Sequence, residues 1–165
     1  MSAERLYLDH AAGAPLHPQA AALIATLHRE GIGNPNGGHA EARRARAVLD
    51  EARASLAEDF GVEPRAITFT STASEALALA LGSELHPGGV LISSAGEHRG
   101  ARALAAAHEA AGGRVALVPL DAGGRWSRDA LDALLSTHSE DGAAPVLLLA
   151  LASGELGSIQ PALSQ

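Results

Sequence analysis

Five short apolar runs with strand character punctuate the chain, at 5–8 (RLYL), 66–70 (AITFT), 89–93 (GVLIS), 114–119 (RVALVP) and 145–151 (PVLLLAL). Between them the apolar residues recur every three or four positions, the period of a helix with one buried face. This alternation constrains the fold more than any other feature. Strands apolar on both faces, separated by helices, are satisfied by a mainly parallel sheet covered by helices on either side. The expected class is therefore α/β, with three layers. No stretch has the composition of a linker, and 165 residues suit one domain with one core. The expected organisation is a single α/β unit over 1–165, with an N-terminal arm, a helix and a loop in 1–40 and the core in 41–165.

The helix boundaries are readable from local chemistry. The segment "PQAAALIATLHREG" opens on Pro18, suited to a first turn, and stops at Gly31. Over 40–60, Ala42, Ala45, Leu49, Ala52, Leu56 and Phe60 form one apolar stripe. Further helices are expected at 74–84, at 98–111 with Gly112-Gly113 as its stop, and at 127–136 after the turn "DAGGRW".

Composition excludes several roles. A net charge of −7 argues against general nucleic-acid or anionic-membrane binding. The arginines of "EARRARAVLDEAR" are interleaved with acidic residues and read as a solvated helix face. No apolar run reaches the length of a membrane span, and "MSAERLYLDH" has no signal-peptide pattern. The absence of cysteine fits a reducing compartment, and a cytoplasmic location is the expectation. It also removes thiolate chemistry from this chain. All 12 basic residues are arginine, so there is no lysine either.

In parallel sheets, ligands bind beyond the carboxyl ends of the strands. Three such junctions are chemically unusual: 70–75, 93–99 and 151–157. The first gathers Thr70, Ser71, Thr72 and Ser74 where a strand is expected to give way to a helix. Thr72 or Ser74 could cap the helix, with Glu75 favourable in its first turn. Hydroxyls beside free helix N–H groups also form a phosphate site. His98 follows the third strand; it is either an exposed helix start or a ring placed to stack on a planar ligand.

Other chemistries fit less well. There is no GxxxxGK for a nucleotide loop and no GxSxG elbow for a hydrolase. The run "GIGNPNGGH" at 31–39 follows a helix, not a strand, and carries Pro35, so it reads as a shaped loop and not as a dinucleotide fingerprint. The eight histidines show no HxxxH or HExxH spacing, and no metal site is expected.

Five segments, in order and without large gaps from Leu6 to Pro161, resemble the cysteine desulfurases. These are pyridoxal phosphate enzymes of fold type I, in the class V aminotransferase-like group. "LYLDHAAGAPLHP" is similar to that family's YLDHAATTPxxP, and "GNPNGGHAEARRARAVLDEAR" to GNPSSxHxxGRxARxxxExAR. "ITFTSTASEALALAL" is similar to IxFTSGATEAxNLAL, "LISSAGEH" to IxxSxxEH, and "GELGSIQP" to NEIGTIQP.

The resemblance implies roles. Thr72, Ala73 and Ser74 fall where the family holds the cofactor phosphate. His98 falls on the catalytic histidine that stacks on the pyridine ring and assists proton transfer. Gly154 stands where an asparagine binds the ring oxygen, with Ser153 beside it as a partial substitute. Segment 1–40 then corresponds to the arm, helix and active-site loop, and 41–165 to the core of an incomplete large domain.

The family converts L-cysteine to L-alanine and passes sulfur through a persulfide to an acceptor protein, for iron–sulfur cluster or thio-cofactor assembly. Its members are homodimers. It takes its Schiff-base lysine, its pyridinium-binding aspartate and its cysteine from sequence beyond the region matched, so this chain alone is expected to be inactive. Two alternatives accompany this reading: a non-catalytic binding or scaffolding homologue, and another class V enzyme such as a selenocysteine lyase. Thr72 also replaces a family glycine, which predicts a tightened turn.

Overall fold

The computed structural model describes residues 6–139 and 144–163. They fall into two compact units that meet in sequence at Phe69 and Thr70.

The first unit contains helix α1 (Pro18–Arg29), helix α2 (Ala40–Phe60) and a 3-10 turn (Pro64–Ala66). Helix α1 has Pro18 in its first turn, as the sequence implies. It buries none of its residues, and Leu23 and Ile24 remain exposed. Helix α2 ends at Gly61, whose φ of +65° lets the Gly61 and Val62 amides fold back onto the carbonyls of Glu58 and Ala57. Its expected apolar stripe is only half right. Ala42, Ala45 and Ala57 are buried, whereas Leu56 and Phe60 face outward.

The arginines of α2 are not a plain solvated face. Arg43 donates to the Gly38 carbonyl at 2.8 Å, Arg46 donates to the Pro35 carbonyl, and Arg44 pairs with Glu30. They clasp the 31–39 loop against its own following helix. Arg53 reaches the Ile67 carbonyl at 3.3 Å and lies over the Phe69 ring.

The second unit contains α3 (Ala73–Glu84), β1 (Val90–Ser94), α4 (Arg99–Ala110), β2 (Arg114–Val118), α5 (Arg128–His138), β3 (Val146–Leu148) and the short hairpin β4 (Ala152–Ser153) and β5 (Ser158–Ile159). Strands β2, β1 and β3 form a parallel sheet in that order, with Leu91 opposite Val115 on one side and Val146 on the other. All five residues of β1 are buried.

The sheet separates two apolar layers. Val90 and Ile92 point to one face, with Val118, Trp126 and Leu131 of α5. Leu91 points to the other, with Leu81 of α3 and Ala105 of α4. This is the expected α/β sandwich of three layers. Among the described residues no helix is long and apolar enough to cross a membrane.

Two of the expected strands are absent. Residues 66–70 enter the 3-10 turn and then run on without a ladder, although Ile67 itself is extended. A strand needs a neighbour for its N–H and C=O groups, and no described residue pairs there. The described part of 5–8, residues 6–8, forms no strand. The run at 145–151 is strand only over Val146–Leu148.

Leu91 is fully buried and Leu79 is 57 % exposed. Leu91→Ala is therefore expected to lower the unfolding free energy by about 2–5 kcal/mol, and Leu79→Ala by less than about 0.5 kcal/mol. Urea denaturation of the two variants checks this, and equal losses would contradict the assignment of the core.

Candidate cofactor site

The order β2-β1-β3 makes β1 a switch point. The connection through α4 leaves β1 for β2 on one side, and the connection through α5 returns to β3 on the other. The crevice this opens lies at the carboxyl ends of β1 and β3, where ligands of such sheets bind.

Helix α3 begins with a complete cap. The Thr72 hydroxyl oxygen accepts from the Glu75 amide at 3.1 Å. The Glu75 carboxylate returns to Ser71, accepting from its amide at 2.8 Å and its hydroxyl at 2.5 Å. Thr70 donates to the Thr72 carbonyl at 3.0 Å. The tightened turn predicted at Thr72 does not occur. Its φ of −150° and ψ of 157° are ordinary extended values that need no glycine.

This cap leaves some groups unused. Among the described residues the amides of Ala73 and Ser74 have no acceptor, and the Ser74 hydroxyl has no partner. They sit at the positive end of the helix dipole.

Helix α4 begins beside them. His98 is its cap, with Nδ1 accepting from the Gly100 amide at 3.1 Å. That bond requires a lone pair on Nδ1, so the capping form is the neutral ring with its proton on Nε2. The ring is exposed, and Nε2 has no partner among the described residues. A side chain at Gly100 would bring its Cβ within 2.8 Å of Ser74 Oγ and 3.4 Å of His98 Nδ1. The glycine thus lets two helix amino termini meet with Ser74 and His98 between them.

The structure brings together Thr72, Ala73, Ser74 and His98. It places Ser153 and Gly154 elsewhere in the crevice region, at the β4–β5 hairpin. Ser153 Oγ accepts from the Leu156 amide at 3.1 Å, its carbonyl accepts from Gly157, and Gly154 lies exposed in the turn. No hydrogen bond joins either to Ser74 or His98 among the described residues. Sequence reasoning missed Glu97, a carboxylate only 6 % exposed beside His98. Its signal was the acid of the EH pair in the IxxSxxEH motif, and its burial is what the structure adds.

The donor set suits a phosphate monoester. It offers two free amides, one free hydroxyl and two converging helix dipoles, and the Glu75 carboxylate beside them is tied back to Ser71 through Oε2. The family model for aminotransferase class-V matches residues 6–163. The chain belongs to this family. A cysteine desulfurase of the IscS-like type from Mycobacterium tuberculosis is 31% identical over 163 residues, covering 94% of this chain and 40% of that protein. The chain thus spans well under half the length of that relative. Selenocysteine lyase of Rattus norvegicus is 35% identical over 71 residues, 43% of this chain and 16% of the lyase.

Among solved structures, a NifS-like protein superposes with a TM-score of 0.82 at 26% identity, over 96% of this chain and 43% of that one. The structure titled SspA in complex with cysteine gives 0.75 at 28% identity, over 94% and 44%. The parallel-sheet fold read from the sequence is the fold of these relatives.

The Ser71 hydroxyl, and after it the Ser71 amide, hold the Glu75 carboxyl below its ordinary value. A depressed carboxylate stabilises the fold above its unfolded-state pKa, and this is lost as pH falls through the folded one. The first turn of α3 is expected to stay capped at neutral pH and to fray as pH drops below the ordinary glutamate range and through the lowered value of Glu75. NMR secondary shifts of 73–76 follow this, and Glu75→Gln should remove the pH dependence. Thr72→Ala should cost about 1 kcal/mol at neutral pH.

Proposed function

We propose that this chain forms the phosphate- and ring-binding part of a pyridoxal phosphate enzyme of the cysteine desulfurase type. The observation that carries the proposal is the meeting of the unpaired Ser74 hydroxyl and the His98 ring across Gly100. The Ser74 hydroxyl and the amides of Ala73 and Ser74 donate to the phosphate oxygens, while Thr72 keeps the helix start rigid. His98, capped on Nδ1, presents its ring and exchanges a proton through Nε2 alone. When bound, pyridoxal phosphate supplies an electron sink for negative charge at the α carbon of an amino acid.

The chain contains neither lysine nor cysteine. The amine that anchors the cofactor and the thiol that takes up sulfur are therefore supplied by residues other than these. Gly154 offers no side chain to the ring oxygen, and Ser153 spends its acceptor on its own turn. The substrate class is L-cysteine or a related amino acid. The desulfurase relatives and the structural neighbour titled as in complex with cysteine support this reading. A homodimer and a sulfur-acceptor protein complete the reading. The second reading, a selenocysteine lyase, is favoured by the similarity to the rat enzyme.

The test is binding of pyridoxal phosphate to the chain, followed by cofactor absorbance and 31P NMR. Ser74→Ala is expected to weaken pyridoxal phosphate about tenfold and to leave pyridoxal, which lacks the phosphate, unchanged. His98→Ala is expected to weaken both. Wild-type affinity in both variants would refute the site. Borohydride treatment should leave no lysine-linked adduct.

A further inference from the structure

Glu97 is a buried carboxylate that none of the chemistry above uses. It lies in the turn between β1 and α4, immediately before His98. Its Oε1 accepts from the Ser94 hydroxyl at 3.2 Å and from the Ala150 amide at 2.9 Å. Ser94 Oγ in turn accepts from the Gly96 amide at 3.2 Å. The turn leading to His98 is thus braced from inside.

The Ala150 bond matters most. The β1–β3 ladder runs from Leu91 opposite Val146 to Ser93 opposite Leu148, and the Ser93 hydroxyl adds a bond to the Leu148 carbonyl at 3.1 Å. Just past that point the Ala150 amide is taken by a carboxylate oxygen. On the other side of β1, the Ala95 amide still reaches the Val118 carbonyl. A side chain therefore spans the gap between β1 and β3 where the crevice opens, while β1 and β2 stay joined through backbone.

We propose that Glu97 is a positioning residue: its Oε1 bridge fixes the turn from which His98 projects and holds the segment after β3, which leads to Ser153, against it. This rests on the reading of the crevice as a cofactor site. Both bonds converge on one oxygen, so the active feature is the reach of an acceptor and not the negative charge. Glutamine preserves that reach; aspartate, one methylene shorter, does not.

The experiment uses this chain with 15N-labelled histidine and reads the two ring-nitrogen shifts of His98 and the Gly100 amide. Affinity for pyridoxal phosphate and thermal melting are measured alongside. Glu97→Gln is expected to keep the Nδ1-acceptor signature and an affinity within about twofold of wild type. Glu97→Asp is expected to lose the signature and to weaken pyridoxal phosphate about tenfold or more while the chain remains folded. Ser94→Ala, which removes one of the two bonds, should fall between them and carries the test if the aspartate variant does not fold.

A merely structural role would lower the melting temperature and leave the His98 signature and affinity untouched; that result overturns the proposal. Loss of the signature in Glu97→Gln would show that charge, not reach, is the agent, and would overturn it equally. If wild-type chain fails to take up pyridoxal phosphate, the cofactor reading falls, and the His98 signature alone still decides the role of Glu97.

Discussion

The pairing of β1 on both edges is the constraint from which the rest of the second unit follows. A strand bonded in parallel on either side exposes no backbone group, and its side chains must alternate between two covered faces. Val90 and Ile92 therefore enter the layer under α5, and Leu91 the layer under α3 and α4. Because both neighbours are parallel, each needs a helical crossover, and the two crossovers lie on opposite faces of the sheet. Their divergence at the end of β1 leaves a gap that backbone hydrogen bonds do not close. Glu97 occupies that gap, and His98 follows it.

The same geometry would favour an anion there. Helices α3 and α4 pack on one face, and their amino termini meet at Gly100. Each terminus carries roughly half a positive charge in unpaired N–H groups. Two such ends side by side would repel unless a negative group lay between them, or unless local caps consumed their donors. The caps consume only part. Thr72 takes the Glu75 amide and His98 takes the Gly100 amide, while the amides of Ala73 and Ser74 stay open.

Sequence periodicity was sufficient for the helices and for the three central strands, because each is set by apolar spacing and local stop signals. Helices α3, α4 and α5 begin or end within two residues of the expected positions. It failed at 66–70, where five apolar and β-branched residues have strand propensity but no partner to pair with; a ladder is a long-range property that a local window does not contain. The arginine clasp of the 31–39 loop was not legible for the same reason. Arg43 and Arg46 are exposed, as the interleaved charges imply, but they also donate to the carbonyls of Gly38 and Pro35, acceptors that no charge count includes. Of the proposed site, Ser74 and His98 stand out in the sequence by their junctions and by the family motifs. Glu97 stands in the same EH motif, but only its burial separates it from an ordinary surface acid.

Histidine recurs at helix starts with a common consequence. His17, His39 and His98 cap α1, α2 and α4, in each case through Nδ1 accepting from a backbone amide. An imidazole can do this only while Nδ1 carries a lone pair, since the protonated ring would aim an N–H and a positive charge at the helix dipole. His39 differs in having the Glu41 carboxylate 3.0 Å from the same nitrogen, an acceptor for that nitrogen whenever it carries a proton. No carboxylate approaches His98 Nδ1 among the described residues. The cap thereby leaves Nε2 as the ring nitrogen that carries the proton. The cap that starts α4 and the ring proposed to serve the cofactor are thus one constraint: holding the helix selects the tautomer.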